Sequence, residues 1–303
     1  MQNEYEYFSR MWSGETDGPA KAAARNTSNL WNERADDWAM LLSTDTPFKR
    51  SLDARVASAA EFLRERGALK NGYSVIDIGC GPGRFVAEFA KTAAHASGTD
   101  ISEKMVNHSA AYAESAGLKN TSFTACDFKA AQPSDMGWSK AFDLVFASIT
   151  PAVGDMDGLR KMIEMSRAYC FNSSFVWNTD DLRDRISRNV FGAEPEENEQ
   201  LDGRGFYSLF NLLWLDGYFP EVRYHNQELY EDTPVDDELI RYYTRVFSKR
   251  GIDRAEVYER IGAYLARLCR ADGTVQTHSS RRYGWTLWDV RERGPRRVGI
   301  GDA

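Results

Sequence analysis

The sequence predicts an α/β fold: a doubly wound, mostly parallel seven-stranded sheet, with N-terminal helices and a helical insertion before the last strand. Three observations predict it. Between residues 74 and 179, strand-length apolar runs alternate with segments of helix length, the pattern of a parallel sheet wound on both faces. Three glycines at alternate positions, Gly79, Gly81 and Gly83, join the first strand to the helix behind it. The composition, 42% hydrophobic and 27% charged over 303 residues, is that of a globular chain with a substantial core.

The elements follow in order. Residues 1–50 read as helical pieces; in 29–41, Trp31, Arg34 and Trp38 fall near one helical face. Residues 51–69 form an amphipathic helix, with Ser51 placed as N-cap and Gly67 near its end. Strand 74–79, helix 83–94, strand 96–100 and helix 102–117 come next, the last opened by Ser102 and closed by Gly117. Strands are expected at 121–127 and 142–148, a helix at 155–169 and a strand at 173–179. Residues 180–205 read as a charged loop containing the exposed tract EPEENEQ. Then come a helix with a wide apolar face (205–218), a strand (220–230), two amphipathic helices (236–250 and 253–270) and a final strand (281–291). The organisation is a helical lead-in over 1–70 and a sheet domain over 71–303, with insertions at about 180–218 and 232–278.

The net charge is −7, which repels phosphate backbones and argues against nucleic acid as a partner. RDRISR (183–188) and the arginines of 280–297 are the local basic stretches, and both read as solvated charge. Cys80, Cys126, Cys170 and Cys269 are not spaced as a metal knuckle, so four free thiols and no metal site are expected. No apolar run suits a signal peptide or a membrane span. A cytoplasmic protein is expected.

The glycine loop narrows the chemistry. The dinucleotide fingerprint needs a third glycine three residues after the second, and Arg84 stands there. The phosphate loop G-x-x-x-x-G-K-[ST] is also missing. The arrangement is D-x-G-x-G-x-G, with Asp77 two residues before the first glycine. A carboxylate beside the loop suits a cationic ligand better than a pyrophosphate.

VIDIGCGPG (75–83) resembles the first motif of the class I S-adenosylmethionine (SAM)-dependent methyltransferases, and the resemblance extends over about 70–180. It implies the Rossmann-like fold of that family, with SAM as cofactor and S-adenosylhomocysteine (SAH) as product. It also implies that Asp100 binds the ribose hydroxyls, Asp127 the adenine amino group, and that 148–151 present the methyl group. The residue types agree. Glycines admit close backbone approach. Asp100 can hold two hydroxyls at once. Ile101, Met105 and Phe128 offer apolar faces to an adenine ring. Asp77 either meets the ligand or orients the loop through backbone amides, and Asp127 serves the adenine or a turn. Cys80 reads as a small packing residue within the loop. Trp31, Arg34 and Trp38 match an aromatic-Arg-aromatic lead-in that folds over the cofactor in many small-molecule methyltransferases; core packing explains the same spacing.

Methyl transfer from a sulfonium needs alignment above all, and a base only where the nucleophile must lose a proton. No residue declares itself catalytic. Ser148 and Thr150 line the methyl channel in this reading; His225 and Thr150 are the catalytic candidates, and His278 is a further candidate base. SITPAV (148–153) departs from the N-P-P-aromatic motif of base and protein-nitrogen methyltransferases. The aromatics of 206–243 suit a small apolar or planar acceptor, or a homodimer interface. The expectation is a SAM-dependent methyltransferase of a small molecule. Its rivals are a SAM-binding protein without transferase activity and a nicotinamide oxidoreductase.

Overall fold

The computed structural model describes residues 2–14, 27–43, 47–194, 203–248 and 252–297. Helices α1 (Gln2–Ser13), α2 (Ser28–Ser43) and α3 (Pro47–Glu65) lead into β1 (Ser74–Ile78). There follow α4 (Arg84–Ala90), β2 (His95–Asp100), α5 (Glu103–Ser115), β3 (Thr121–Ala125) and β4 (Phe142–Ser148). After a 3-10 turn at Pro151–Val153 come α6 (Met156–Met165), β5 (Ser166–Asp180), α7 (Asp181–Phe191) and α8 (Arg204–Leu215). The chain ends with β6 (Glu221–Pro234), α9 (Asp237–Phe247), α10 (Arg254–Leu268) and β7 (Thr274–Asp289).

The strands form one seven-stranded sheet in the order β3-β2-β1-β4-β5-β7-β6, parallel from β3 to β5 and closed by an antiparallel hairpin. The expected fold is therefore the observed one. The period-2 alternation of buried strands sorts their side chains onto two faces. Val75, Leu144, Phe146 and Phe171 join one apolar cluster with α3 and α4. Ile76, Ile78, Val145 and Ala147 join another with α6 and α8, against which Tyr5, Phe8 and Trp12 of α1 pack.

The chain divides into two compact units: Met1–Val176 with Gly203–His225 and Tyr283–Ala303, and Trp177–Asp202 with Asn226–Arg282. The second has its own core of Leu182, Ile186, Tyr243, Phe247, Val257, Ile261, Leu265 and Val275. Residues 203–218 of the first expected insertion belong to the first unit. No helix among the described residues is long and apolar enough to cross a membrane.

Several boundaries differ from expectation. Ser51 is not an N-cap: the helix opens at Pro47, and Ser51 is buried within it. Proline suits the first helical turn, where its missing N–H costs nothing. The helix expected to 169 stops at Met165, and residues 166–172 extend β5 toward its start. A short buried run has no polar alternation with which to distinguish strand from helix. The helix expected over 83–94 is confined to 84–90. Residues 181–191 form a helix, capped by the Asp180 carboxylate on the Arg183 amide (2.9 Å) and closed by Gly192 at φ 61°. Leu182 and Ile186, four apart on one face, were its signal amid the charges. The last strand begins at Thr274, earlier than expected. Most of EPEENEQ, from residue 195 on, lies outside the described residues.

Candidate functional site

The parallel register brings the C-terminal ends of β1, β2, β3 and β4 to one edge, with Ile78 beside both Thr99 and Ala147 and Asp100 beside Ala125. Ligands bind at this edge in such folds. The loop that leaves β1 there has Gly79, Gly81 and Gly83 all at positive φ (69°, 51° and 74°), a backbone that side chains resist. The amides of Gly79 and Cys80 both donate to the Thr99 carbonyl (2.7 and 2.9 Å), tying the loop to β2.

The three glycines do different work. A Cβ on Gly79 would stand 2.1 Å from Thr150 Oγ1, and one on Gly83 2.8 Å from Ser109 Cβ. These two positions let protein pack on protein. A Cβ on Gly81 would meet nothing within 4 Å; that face is open to an approaching ligand.

Asp100 anchors the loop from the end of β2. Its Oδ2 accepts the Gly81 amide and its Oδ1 the Ser102 amide, both at 2.9 Å. A carboxylate accepts about four hydrogen bonds, so acceptor capacity remains for a ribose hydroxyl. Burial raises its pKa against the pull of these amides. Asp77 is 1% exposed, and its Oδ1 has no hydrogen-bond partner. Burial and the charge of Asp100 push its carboxyl well above the usual range, opposed by Arg55. Cys80 is buried in the loop within the cluster of α3 and α4, its thiol also pushed up by burial, the setting of a packing residue.

The other expected residues are divided. Ser102 caps α5, its Oγ accepting the Met105 amide at 3.1 Å. Met105 is buried and Ile101 half-buried beside Asp100. Asp127 is exposed; its Oδ1 accepts the Lys129 amide (3.1 Å) and its carbonyl the amides of Ala130 and Ala131. It thus makes the turn after β3. Phe128 is 3% exposed and packs in the cluster of α6 and α8. Lys161 holds this turn by donating to the carbonyls of Phe128 (3.3 Å) and Lys129 (2.7 Å).

Beyond β4, Ile149 has φ 54°, a strained conformation for a β-branched residue. It aims Thr150 at the glycine loop. Thr150 Oγ1 accepts the Ala152 amide at 3.2 Å and caps the 3-10 turn. Ser148 Oγ accepts from Arg55 Nη1 at 3.5 Å. The Arg55 guanidinium lies 5.6 Å from the Phe85 ring and 4.9 Å from the Tyr283 ring.

The lead-in helix docks at the site by residues other than those expected. Ser102 Oγ donates to Asn32 Oδ1 at 2.6 Å, and Lys104 pairs with Asp36 at 2.6 Å. Trp31 carries Arg34 over its ring at 5.3 Å, with Arg34 itself exposed, and Trp38 packs on the core cluster of α3 and α4. Asn32, Asp36, Arg55, Ser109 and Gly98 were not singled out in the sequence. Ser109, whose Oγ donates to the Gly81 carbonyl at 2.6 Å, is four residues after Met105 on the same helical face. Gly98 admits Cys80 Sγ, which a Cβ there would meet at 2.9 Å. An isolated glycine inside a strand was the available signal.

His225 stacks on Trp285 at 4.9 Å in a cleft of about 370 Å³, lined also by Ser58, Glu61, Glu65, Arg223 and Tyr224. Burial, Arg55 and Arg223 lower its pKa, leaving a neutral imidazole at neutral pH. His278, in the second unit, pairs with Glu228 at 2.6 Å.

Comparison with known proteins now bears on the loop and its carboxylates. Residues 69–201 match the family described as a methyltransferase domain. This segment is a methyltransferase domain. The chain is similar to a sterol 24-C-methyltransferase of Gibberella zeae, 28% identical over 46% of this chain and 39% of that protein. It is also similar to a 23S rRNA (uracil(1939)-C(5))-methyltransferase of Hahella chejuensis, 32% identical over 33% of this chain and 23% of that protein. The match thus spans less than two-fifths of either relative. Among solved structures, magnesium protoporphyrin IX methyltransferase from Synechocystis PCC 6803 with bound SAH aligns at TM-score 0.49 and 14% identity, covering 86% of this chain and 96% of that one. The residues of the methyltransferase domain fit SAM. The open face at Gly81 would admit its methionine portion, Asp100 has acceptor capacity for a ribose, and the partnerless Asp77 oxygen suits a cation.

Proposed function

We propose that this chain transfers a methyl group from SAM to a small-molecule acceptor, in the cytoplasm. The observation that carries the reading is the pairing of Asp100 with the Gly81 and Ser102 amides, with the partnerless Oδ1 of Asp77 on the neighbouring strand. SAM supplies an electrophilic methyl group on a good leaving group. The chain supplies position. Gly81 and Asp100 hold the nucleoside and methionine portions. Ser148 to Thr150, fixed by the strained Ile149, set the wall past which the acceptor approaches. Asp127 at its turn and the apolar side chains of Ile101 and Met105 border the adenine position, and Asn32 closes the lead-in helix onto Ser102. Alignment of this kind is the main source of rate in a displacement whose leaving group is already good. The neutral His225 is the candidate base for an acceptor that must lose a proton.

The net charge of −7 favours a small acceptor over a nucleic acid. Of the two relatives, the one named for a sterol fits this better than the one named for ribosomal RNA. Acceptor selection is assigned to 180–218 and 232–278, whose exposed aromatics include Tyr207, Trp214 and Tyr242. Calorimetric titration with SAM, SAH and NADH tests the cofactor. Micromolar binding of both sulfur nucleosides and none of NADH is expected. NADH binding alone would replace the reading with an oxidoreductase. Tight SAM binding without transfer to any acceptor in a cell extract would make the chain a SAM-binding protein.

A further inference from the structure

Asp77 is buried within β1. It pairs in register with Gly98 and Phe146, has 1% of its surface exposed, and its Oδ1 meets no hydrogen-bond donor. Among the described residues, the charges of Asp100 on β2 and Arg55 on α3 act on it, and it acts in turn on the thiol of Cys80. The Arg55 guanidinium is shared with the rings of Phe85 and Tyr283 and with Ser148 Oγ. Asp100 is a second carboxylate, itself held by two amides. Burying an ionised oxygen without a donor is costly, and two neighbouring carboxylates do not both ionise readily. Asp100 has amides to stabilise its charge. Asp77 has none at Oδ1.

We propose that Asp77 carries a proton in the free protein and releases it when a cationic group of the bound cofactor arrives, so that cofactor binding is coupled to the loss of one proton. The inference rests on the SAM reading and goes beyond it. The step moves one proton from the Asp77 carboxyl to solvent and leaves a carboxylate facing an onium cation; no other bond changes. SAM brings two such cations, its sulfonium and its α-ammonium, and SAH keeps only the second. If the sulfonium is the partner, product formation removes the charge that holds Asp77 ionised. Reprotonation then favours release of SAH.

The test is calorimetry of SAM and SAH in two buffers of different ionisation enthalpy, from pH 5.5 to 8.5, with wild-type protein and Asp77→Asn. Wild-type protein is expected to release up to one proton on binding SAM. Its SAM affinity then rises up to about tenfold per pH unit while Asp77 is protonated in the free protein. Asp77→Asn is expected to bind without proton release and without that slope. Release with SAM alone assigns the sulfonium; equal release with SAM and SAH assigns the α-ammonium. Binding without release in wild-type protein, or release that persists in Asp77→Asn, overturns the proposal. Absence of any binding heat sinks the SAM reading instead. In that event the infrared difference spectrum of the free proteins still decides the protonation of Asp77: wild-type protein is expected to show a protonated carboxyl band that Asp77→Asn lacks, and no such band refutes it.

Discussion

Gly79→Ala tests the glycine loop most directly, because two separate terms oppose it. The first is backbone: φ is 69°, and an L-residue in the left-handed region costs about 1–2 kcal/mol. The second is contact: the new Cβ would stand 2.1 Å from Thr150 Oγ1 and 2.7 Å from Thr150 Cβ. The hydroxyl can rotate away, but Thr150 Cβ moves only with its backbone, so a further cost of about 1–3 kcal/mol is expected for overpacking. Together Gly79→Ala should destabilise by about 2–5 kcal/mol. Gly81→Ala is the control. Its φ is also positive, at 51°, but nothing lies within 4 Å of the new Cβ, so only the backbone cost of about 1–2 kcal/mol applies. Urea unfolding separates the two, and SAH titration adds the functional half. Gly81→Ala should lose affinity out of proportion to its stability, since its Cβ enters the open face. Adding Thr150→Gly to Gly79→Ala should recover the contact cost, giving a coupling energy of about 1–3 kcal/mol in the double-mutant cycle. Equal destabilisation by Gly79→Ala and Gly81→Ala, or a cycle with no coupling, would refute the reasoning.

Four further outcomes are expected. Asp100→Ala should strand the buried Ser102 amide at about 1–3 kcal/mol, release the part-buried Gly81 amide, and weaken SAM by tenfold or more; unchanged SAM affinity in calorimetry would sink the cofactor assignment. Asp77, raised by burial and by Asp100, holds its proton in the folded state over a pH range where the unfolded chain has lost it; stability therefore falls as pH rises above the ordinary aspartate value of about 3.9, by up to about 1.4 kcal/mol per unit until the raised value is passed. Asp77→Asn should melt higher than wild-type protein at pH 7, with the gap closing toward pH 4, and equal melting points at both would contradict this. His225, lowered by burial, Arg55 and Arg223, carries the opposite sign: the unfolded chain binds a proton below about pH 6.5 that the folded one resists, so acid lowers stability and His225→Gln should lessen that loss in melting curves from pH 7 to 5. Cys80 and Cys170 are buried, so a thiol reagent should leave both unmodified in folded protein and reach all four cysteines only in urea; rapid native modification of Cys80 would count against the loop packing.

What could be read in the sequence follows from where one local rule decides the structure. The D-x-G-x-G-x-G loop is legible because positive φ and close approach both demand glycine, and the neighbouring Asp100 is legible because a strand fixes its direction. The same reasoning reaches Ser102, whose cap on Met105 is local. It misplaces Ser51, because Pro47 four residues earlier is an equally good start, and the helix begins there and buries Ser51. It misses Asn32 and Asp36, because helix periodicity marks the apolar stripe that carries Trp38, whereas α2 meets α5 through polar groups whose partners are about 70 positions away in the chain. Arg55 is missed for a related reason. On α3 it looks like one of several solvated cations, and only the fold sets it among Phe85, Tyr283 and Ser148. The residues that present the backbone to a ligand are thus encoded locally, and those that tune charge around it are encoded by topology. Asp77 belongs to both groups. Its place before the glycines is visible in the sequence, but its lack of a donor is a property of the folded protein, and that lack is what makes a cation its natural partner.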